Sequence, residues 1–272
     1  MSSFSQQIQT AAQHVRSIDS RIIDTAIILG SGLSDVAPAL ENTLEFAYHD
    51  IPGLSVPSVI SHHGRLTIGQ QGQDCIAICQ GRHHLYEGYT PQQVAMLVYI
   101  LSQLGTKKII ITNAAGALNT SFRPGDIMLI EDHINFTGQN PIVGQGDDLG
   151  NRFTDMSQAY NTGLLNIAEQ AAKDHQINYH KGVYCGVLGP SLETSAERRM
   201  LAKFGGDAVG MSTILEVIAA NQCNMQVLGL SAITNMALGD EQQQVDTIED
   251  VLRHAETAGK GMKKIIATIL NN

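Results

Sequence analysis

The chain has 272 residues, of which 43% are hydrophobic and 16% charged; this fits a folded protein with a substantial core and excludes a disordered one. Its formal net charge of -9 at pH 7 argues against nucleic acid or an anionic membrane as the main partner, although a local pocket can still hold a small anion.

The polar N-terminus lacks the apolar core of a secretion signal. The longest apolar stretch, Val94 to Leu104, is too short to cross a bilayer and is interrupted by Ser102 and Gln103. Cys75, Cys79, Cys185 and Cys223 sit in apolar runs without C-x-x-C spacing, the pattern of buried reduced thiols in a cytoplasmic protein. No repeat, low-complexity tract or linker divides the chain, so one domain over residues 1–272 is expected.

In chain order, apolar runs predict strands at Thr25–Leu29, Cys75–Cys79, Lys108–Thr112, Ile127–Glu131, Gly182–Val187, Ala208–Met211 and Gln226–Ile233. A helix over 91–104 is capped by Thr90, carries Pro91 in its first turn, and stops at Gly105. Thr194-x-x-Glu197 and Thr213-x-x-Glu216 have capping-box spacing and predict two more helix starts. The alternation implies an α/β fold with a central mixed sheet flanked by helices, whose ligand groups collect in loops beyond the strand ends.

Gly30-Ser31-Gly32-Leu33 follows the first strand and leads into helical sequence, with backbone amides and a hydroxyl suited to an anion. It opens like G-x-G-x-x-G, but Asp35 stands at the third glycine and disfavours a dinucleotide site. His62 and His63 precede Gly64; such a pair is more often a solvated turn than a site. The run from Gly81 to Tyr89 is the densest in reactive types: Arg82 offers a forked, permanent charge, His84 a ring near neutrality, and Tyr86 a flat face. Thr112-Asn113-Ala114-Ala115-Gly116 ends a strand in small residues, which suit either amides facing a ligand or a plain tight turn. Glu193 precedes a capped helix, where the helix dipole alone would favour it. Ser212 stands at the next helix start, and Asn235, beyond Ile233, brings an amide that both donates and accepts.

Together Ser31, Arg82, His84, the Ala114 amide and Ser212 suit one phosphate-sized anion. Glu193 and Asn235 suit a heterocycle, and Tyr86 and Met211 a sugar. No metal-ligand cluster, Cys–His pair or Ser-His-Asp order is legible, which leaves an anionic nucleophile supplied from the substrate pool.

The chain resembles the trimeric purine nucleoside phosphorylases, in the family that also holds methylthioadenosine phosphorylases. The resemblance runs from about Thr25 to the C-terminal helix. It rests on GSGL (30–33), HHGRL (62–66), GRHHLYEGY (81–89), TNAAGALN (112–119), GDIMLIEDHIN (125–135), GPSLETSAE (189–197), DAVGMST (207–213) and SAITN (231–235). It implies a pentosyltransferase of purine salvage, which converts a purine ribonucleoside and phosphate to free base and ribose 1-phosphate with no cofactor and no metal. It implies phosphate contacts from Ser31, His62, Arg82, His84, Ala114 and Ser212. Tyr86 and Met211 match ribose contacts, and Glu193 and Asn235 match the pair that reads 6-oxopurines; His84, Glu193 and Asn235 are the expected catalytic residues. Phe153 matches an aromatic that reaches a neighbouring subunit's ribose site, so a homotrimer is expected.

Three positions depart from the family pattern: Leu192 replaces a usual Phe, Ile248 stands where a histidine commonly meets the ribose 5′-hydroxyl, and Ala220-Asn221-Gln222 replaces Ala-Arg-His. Ile248 opens two expectations: an apolar wall that favours 5′-modified nucleosides, or His254 reaching the hydroxyl instead. The competing functions are a 5′-methylthio-nucleoside phosphorylase and a non-catalytic nucleoside- or phosphate-binding protein on the same fold. Glu193 with Asn235 argues against the first, and the intact anion and base sets against the second.

Overall fold

The computed structural model describes residues 3–59, 63–240, 243 and 247–272. Short aliphatic runs become strands with both faces covered, beginning with β1 (Thr25–Leu29), in which every residue is buried. The N-terminal helix α1 (Phe4–Ile18) precedes it and buries Ile8, Ala11, Ala12 and Val15 on one helical face. β2 (Glu41–Ala47), β3 (Arg65–Gln71) and β4 (Asp74–Gln80) follow as an antiparallel set, then α2 (Pro91–Gln103), β5 (Lys108–Ala117) and β6 (Ile127–Asn135). Next come α3 (Thr162–Asp174), β7 (Tyr179–Gly186), α4 (Ser195–Lys203), β8 (Ala208–Gly210), α5 (Ile214–Gln222), β9 (Gln226–Met236) and α6 (Ile248–Leu270).

The nine strands form one mixed sheet in the order β2-β3-β4-β1-β5-β8-β7-β6-β9. β9 also pairs in parallel with β5, so β5, β8, β7, β6 and β9 close into a ring. β1 and β4 continue the sheet from β5 in parallel, and their C-terminal ends open on one side. Helix α6 packs against β9 and α3, while α2 packs between α1 and α5. The main core cluster spans β1, β4, β5, β6, β9 and these helices.

All seven expected strands are present. β5 and β9 run five and three residues past their expected ends, because ring closure pairs them from Lys108↔Gln226 to Ala117↔Met236. The small-residue run Thr112–Gly116 and Asn235 therefore belong to strands, not to loops. β2 escaped detection because it is a largely exposed edge with few apolar residues, and β3 because its buried Leu66 and Ile68 are separated by Thr67 and followed by Gly69 and Gln70, leaving no apolar run.

Helix α2 starts as its sequence dictates: Thr90 Oγ1 accepts from Gln93 N at 3.2 Å, and Gln93 Oε1 accepts from Thr90 N at 2.9 Å. Replacing Thr90 by Ala is expected to lower the unfolding free energy by about 1 kcal/mol. That loss should register as a lower urea midpoint at unchanged slope; an unmoved midpoint would show that the cap contributes nothing.

Candidate active site

The parallel ends of β1, β4 and β5 approach too closely for ordinary side chains. A Cβ on Gly30 would lie 2.7 Å from Asn113 Cα and 2.8 Å from Thr112 O. Without one, Gly30 N donates to Thr112 Oγ1 at 3.0 Å and the chain turns back, Leu33 N donating to Gly30 O at 3.1 Å, with Ser31 at the half-buried tip. The helix expected after this turn is only a 3-10 turn, Ser34–Val36, too short to act as a dinucleotide-binding helix start.

β4 ends into Gly81, whose φ of 121° and carbonyl, held by Tyr48 Oη at 2.8 Å, redirect the chain inward. Arg82 is consequently 2% exposed. Its Nη1 donates to Thr112 O at 2.7 Å and reaches Ser212 Oγ at 3.4 Å, while its Nε lies 3.1 Å from Glu216 Oε1. Nε and Nη2 make no hydrogen bond among the described residues. A buried cation in a cavity wall favours an anion beside it.

His84 lies beside it, stacked on Tyr86 with ring centroids 4.7 Å apart. Glu87 Oε1 accepts from His84 N and sits 2.9 Å from His84 Nδ1. A carboxylate only accepts, so Nδ1 carries the proton and Nε2 is the acceptor end of the ring. Burial lowers the His84 pKa to about 4; Glu87 opposes this, and the neighbouring Arg82 charge adds to it. Burial raises Glu87, but hydrogen bonds from the Ser58 side chain and backbone and from His84 outweigh it and hold the carboxyl below its ordinary value. Tyr86 is pushed up to about 12, first by burial and then by the Glu87 charge.

The capping box expected at Thr213-x-x-Glu216 does not form. Helix α5 starts there, but Thr213 has φ 73° and ψ -52° and makes no side-chain cap bond. Ile214 N donates to Ser212 O at 2.8 Å, closing the rare strained form of γ-turn at Thr213. Asn113 Nδ2 donates to Thr213 Oγ1 at 2.8 Å and holds that turn, while Ser212 N faces Tyr184 Oη at 3.3 Å. Glu216, 2% exposed, faces Arg82 Nε and is also held by the Thr213 backbone at the helix start.

A register shift between Ala115 and Gly116 places Thr234 as an extra residue on β9, which re-aims Asn235. Thr234 Oγ1 donates to Asn235 Oδ1 at 3.0 Å, leaving the Nδ2 end as donor. Glu193 is nearly buried and lies 3.8 Å from Arg198 Nε, a charge on α4. Thr194 and Glu197 form the expected capping box behind it. A Cβ on Gly189 would stand 2.3 Å from Met211 Sδ, which fixes why glycine packs there.

These elements enclose one cavity of about 190 Å3, lined by Ser31, Arg82, His84, Tyr86, Ala114, Glu193, Met211, Ser212 and Asn235. Asn113, Arg198, Thr234 and Val251 also line it and were missed in the sequence; for Arg198 the only signal was a charge on the inward face of a short amphipathic helix. Phe153 is not brought to this cavity. It is 85% exposed and lines another, beside His133 and Arg152. His62 lies outside the described residues. Ile248 is 75% exposed and does not form the expected wall; Val251, one turn along α6, faces the cavity in its place. His254 directs Nδ1 to Thr234 O at 2.8 Å and lies outside the cavity lining. Among the described residues no group of His, Cys, Asp or Glu is placed to hold a metal, and no helix is long and apolar enough to cross a membrane.

The Phosphorylase superfamily model matches residues 24–271. Purine nucleoside phosphorylase 1 of Bacillus subtilis is 44% identical over 266 residues, covering 97% of each chain. The purine nucleoside phosphorylase of Schistosoma mansoni in complex with adenosine superposes with a TM-score of 0.92 at 33% identity, covering 98% of this chain and 97% of that one. Its complex with inosine gives 0.87 at 34% identity, covering 96% and 95%.

The buried neutral His84 couples stability to pH. The unfolded chain takes up this proton near pH 6.5 and the folded one only near pH 4, so the unfolded state binds more protons in between. The contribution is complete above pH 6.5 and falls, by roughly 3 kcal/mol, as pH drops toward 4. In urea titrations the gap between wild type and His84→Gln is expected to shift by that amount over this window; a constant gap would contradict a neutral His84.

Proposed function

The chain belongs to the purine nucleoside phosphorylases of the Phosphorylase superfamily, and from that membership we propose that it catalyses phosphorolysis of 6-oxopurine ribonucleosides, inosine and guanosine, to free base and ribose 1-phosphate. The observation that carries this reading is Arg82: a guanidinium 2% exposed in the cavity wall, with Ser31 and Ser212 lining the same cavity. Such a group calls for a phosphate-sized anion.

In this reading phosphate sits on Arg82, Ser31, Ser212 and the Ala114 amide, with His62 as a further contact. His84 Nε2 accepts the hydroxyl of hydrogen phosphate and leaves the charged oxygens to the donors. The sugar lies over phosphate between Tyr86 and Met211. As the C1′–N9 bond breaks, its electron pair passes to the purine while a phosphate oxygen bonds C1′; the proton carried by phosphate ends on the base. Anion beneath the sugar and the Asn235 Nδ2 donor at the purine's N7/O6 edge stabilise the separating charges. Glu193 accepts from the N1–H of a 6-oxopurine, a donor that adenine lacks, and fixes the base in register.

The reaction needs no cofactor beyond its phosphate co-substrate. The chain acts as one domain in a cytoplasmic purine-salvage enzyme. Three copies assemble so that Phe153, exposed in the single chain, completes a neighbour's sugar site; its exposure supports this assembly.

Inosine is expected to remain intact in phosphate- and arsenate-free buffer. Arg82→Ala should raise the phosphate KM about ten- to a hundredfold, and Glu193→Ala should load a loss of that size on inosine. Cleavage without phosphate, or an unchanged phosphate KM in Arg82→Ala, would overturn the proposal.

A further inference from the structure

Glu216 reads in the sequence as a helix cap and has no part in the phosphorolysis scheme above. In the structure it is a carboxylate 2% exposed, behind the cation that faces the cavity. Glu216 Oε1 lies 3.1 Å from Arg82 Nε, yet neither Nε nor Nη2 makes a hydrogen bond, and Glu216 Oε2 makes none. Arg82 is clamped elsewhere, by Thr112 O at 2.7 Å. Burial pushes the Glu216 carboxyl up, while the Arg82 charge and the Thr213 backbone oppose this and favour the carboxylate. We propose that Glu216 is a buried counter-charge that limits how tightly Arg82 holds the anion.

The physics is a competition. Without an anion, Glu216 neutralises a guanidinium that would otherwise be an uncompensated buried charge, a costly state. With phosphate bound, the same carboxylate repels the incoming charge through a low-dielectric wall, where an effective dielectric of about 20 leaves several ångströms of separation still significant. Removing the charge takes the Arg82–Glu216 attraction from the free and bound states alike but takes the Glu216–phosphate repulsion from the complex only, so anion binding tightens. The phosphorylated product shares this subsite, so the counter-charge speeds its departure as well. A residue that merely supported the fold would do the reverse: its loss would weaken phosphate binding, or weaken phosphate and base together.

This inference rests on the phosphate assignment of the cavity, and its test needs no turnover. Calorimetric titration of the full chain with inorganic phosphate, and separately with hypoxanthine, is run on wild type, Glu216→Asp and Glu216→Gln. Phosphate affinity is expected to rise in that order, reaching about tenfold for Glu216→Gln, because the charge is first withdrawn by one methylene and then removed. Hypoxanthine affinity should change less than about twofold, since it is neutral. Phosphate should also raise the melting temperature more in Glu216→Gln than in wild type, by mass action on the tighter site. Equal or weaker phosphate binding in Glu216→Gln overturns the counter-charge. If Glu216→Gln does not fold, Glu216→Asp decides alone: tighter binding supports the proposal and equal or weaker binding refutes it. Wild type that binds no phosphate at millimolar concentration would instead remove the phosphate assignment itself.

Discussion

Everything in the site follows from one buried charge. Arg82 leaves the end of β4 under the ends of β1 and β5, where almost no water reaches it. A permanent charge in that position must be balanced from within, so Thr112 O and Glu216 are fixed around it. Glu216 answers both Arg82 and the Thr213 backbone at the start of α5. Thr213 then takes up a strained turn held by Asn113, and that turn sets Ser212 at the cavity wall. The order of causes runs from charge burial to backbone conformation to the placement of donors.

The second constraint is closure of the strand ring. Pairing β5 with both β8 and β9 prolongs both long strands into what would otherwise be loops, and the extra residue Thr234 turns Asn235 to the cavity. A rigid strand holds a donor more closely than a loop, and reaction rate depends on that precision. The glycines at 30 and 189 serve the same end, since each stands where a side chain would strike a neighbour.

Much of this was legible beforehand, because the chemistry-bearing residues sit beside strong local signals. The strand cores were readable from aliphatic runs, Thr90 as a helix cap, and Thr194 from a capping box that does form. Nine residues singled out in the sequence line one cavity. What stayed hidden depends on contacts distant in sequence. Thr213-x-x-Glu216 has perfect cap spacing, but only the fold brings Arg82 to Glu216 and Asn113 to Thr213. Asn235 looked like a loop residue because its strand is defined by its partner. Ile248 looked like a wall because a position in a motif does not tell which turn of a helix faces inward; Val251 does.

The central claim is that phosphate held by Arg82 attacks the sugar carbon directly. Incubating the protein with inosine and phosphate labelled with oxygen-18 in all its oxygens tests this at the atom concerned. Mass spectrometry should find ribose 1-phosphate with every label retained, including the oxygen that bridges carbon and phosphorus. Free ribose, or a sugar phosphate whose bridging oxygen is unlabelled, would contradict it.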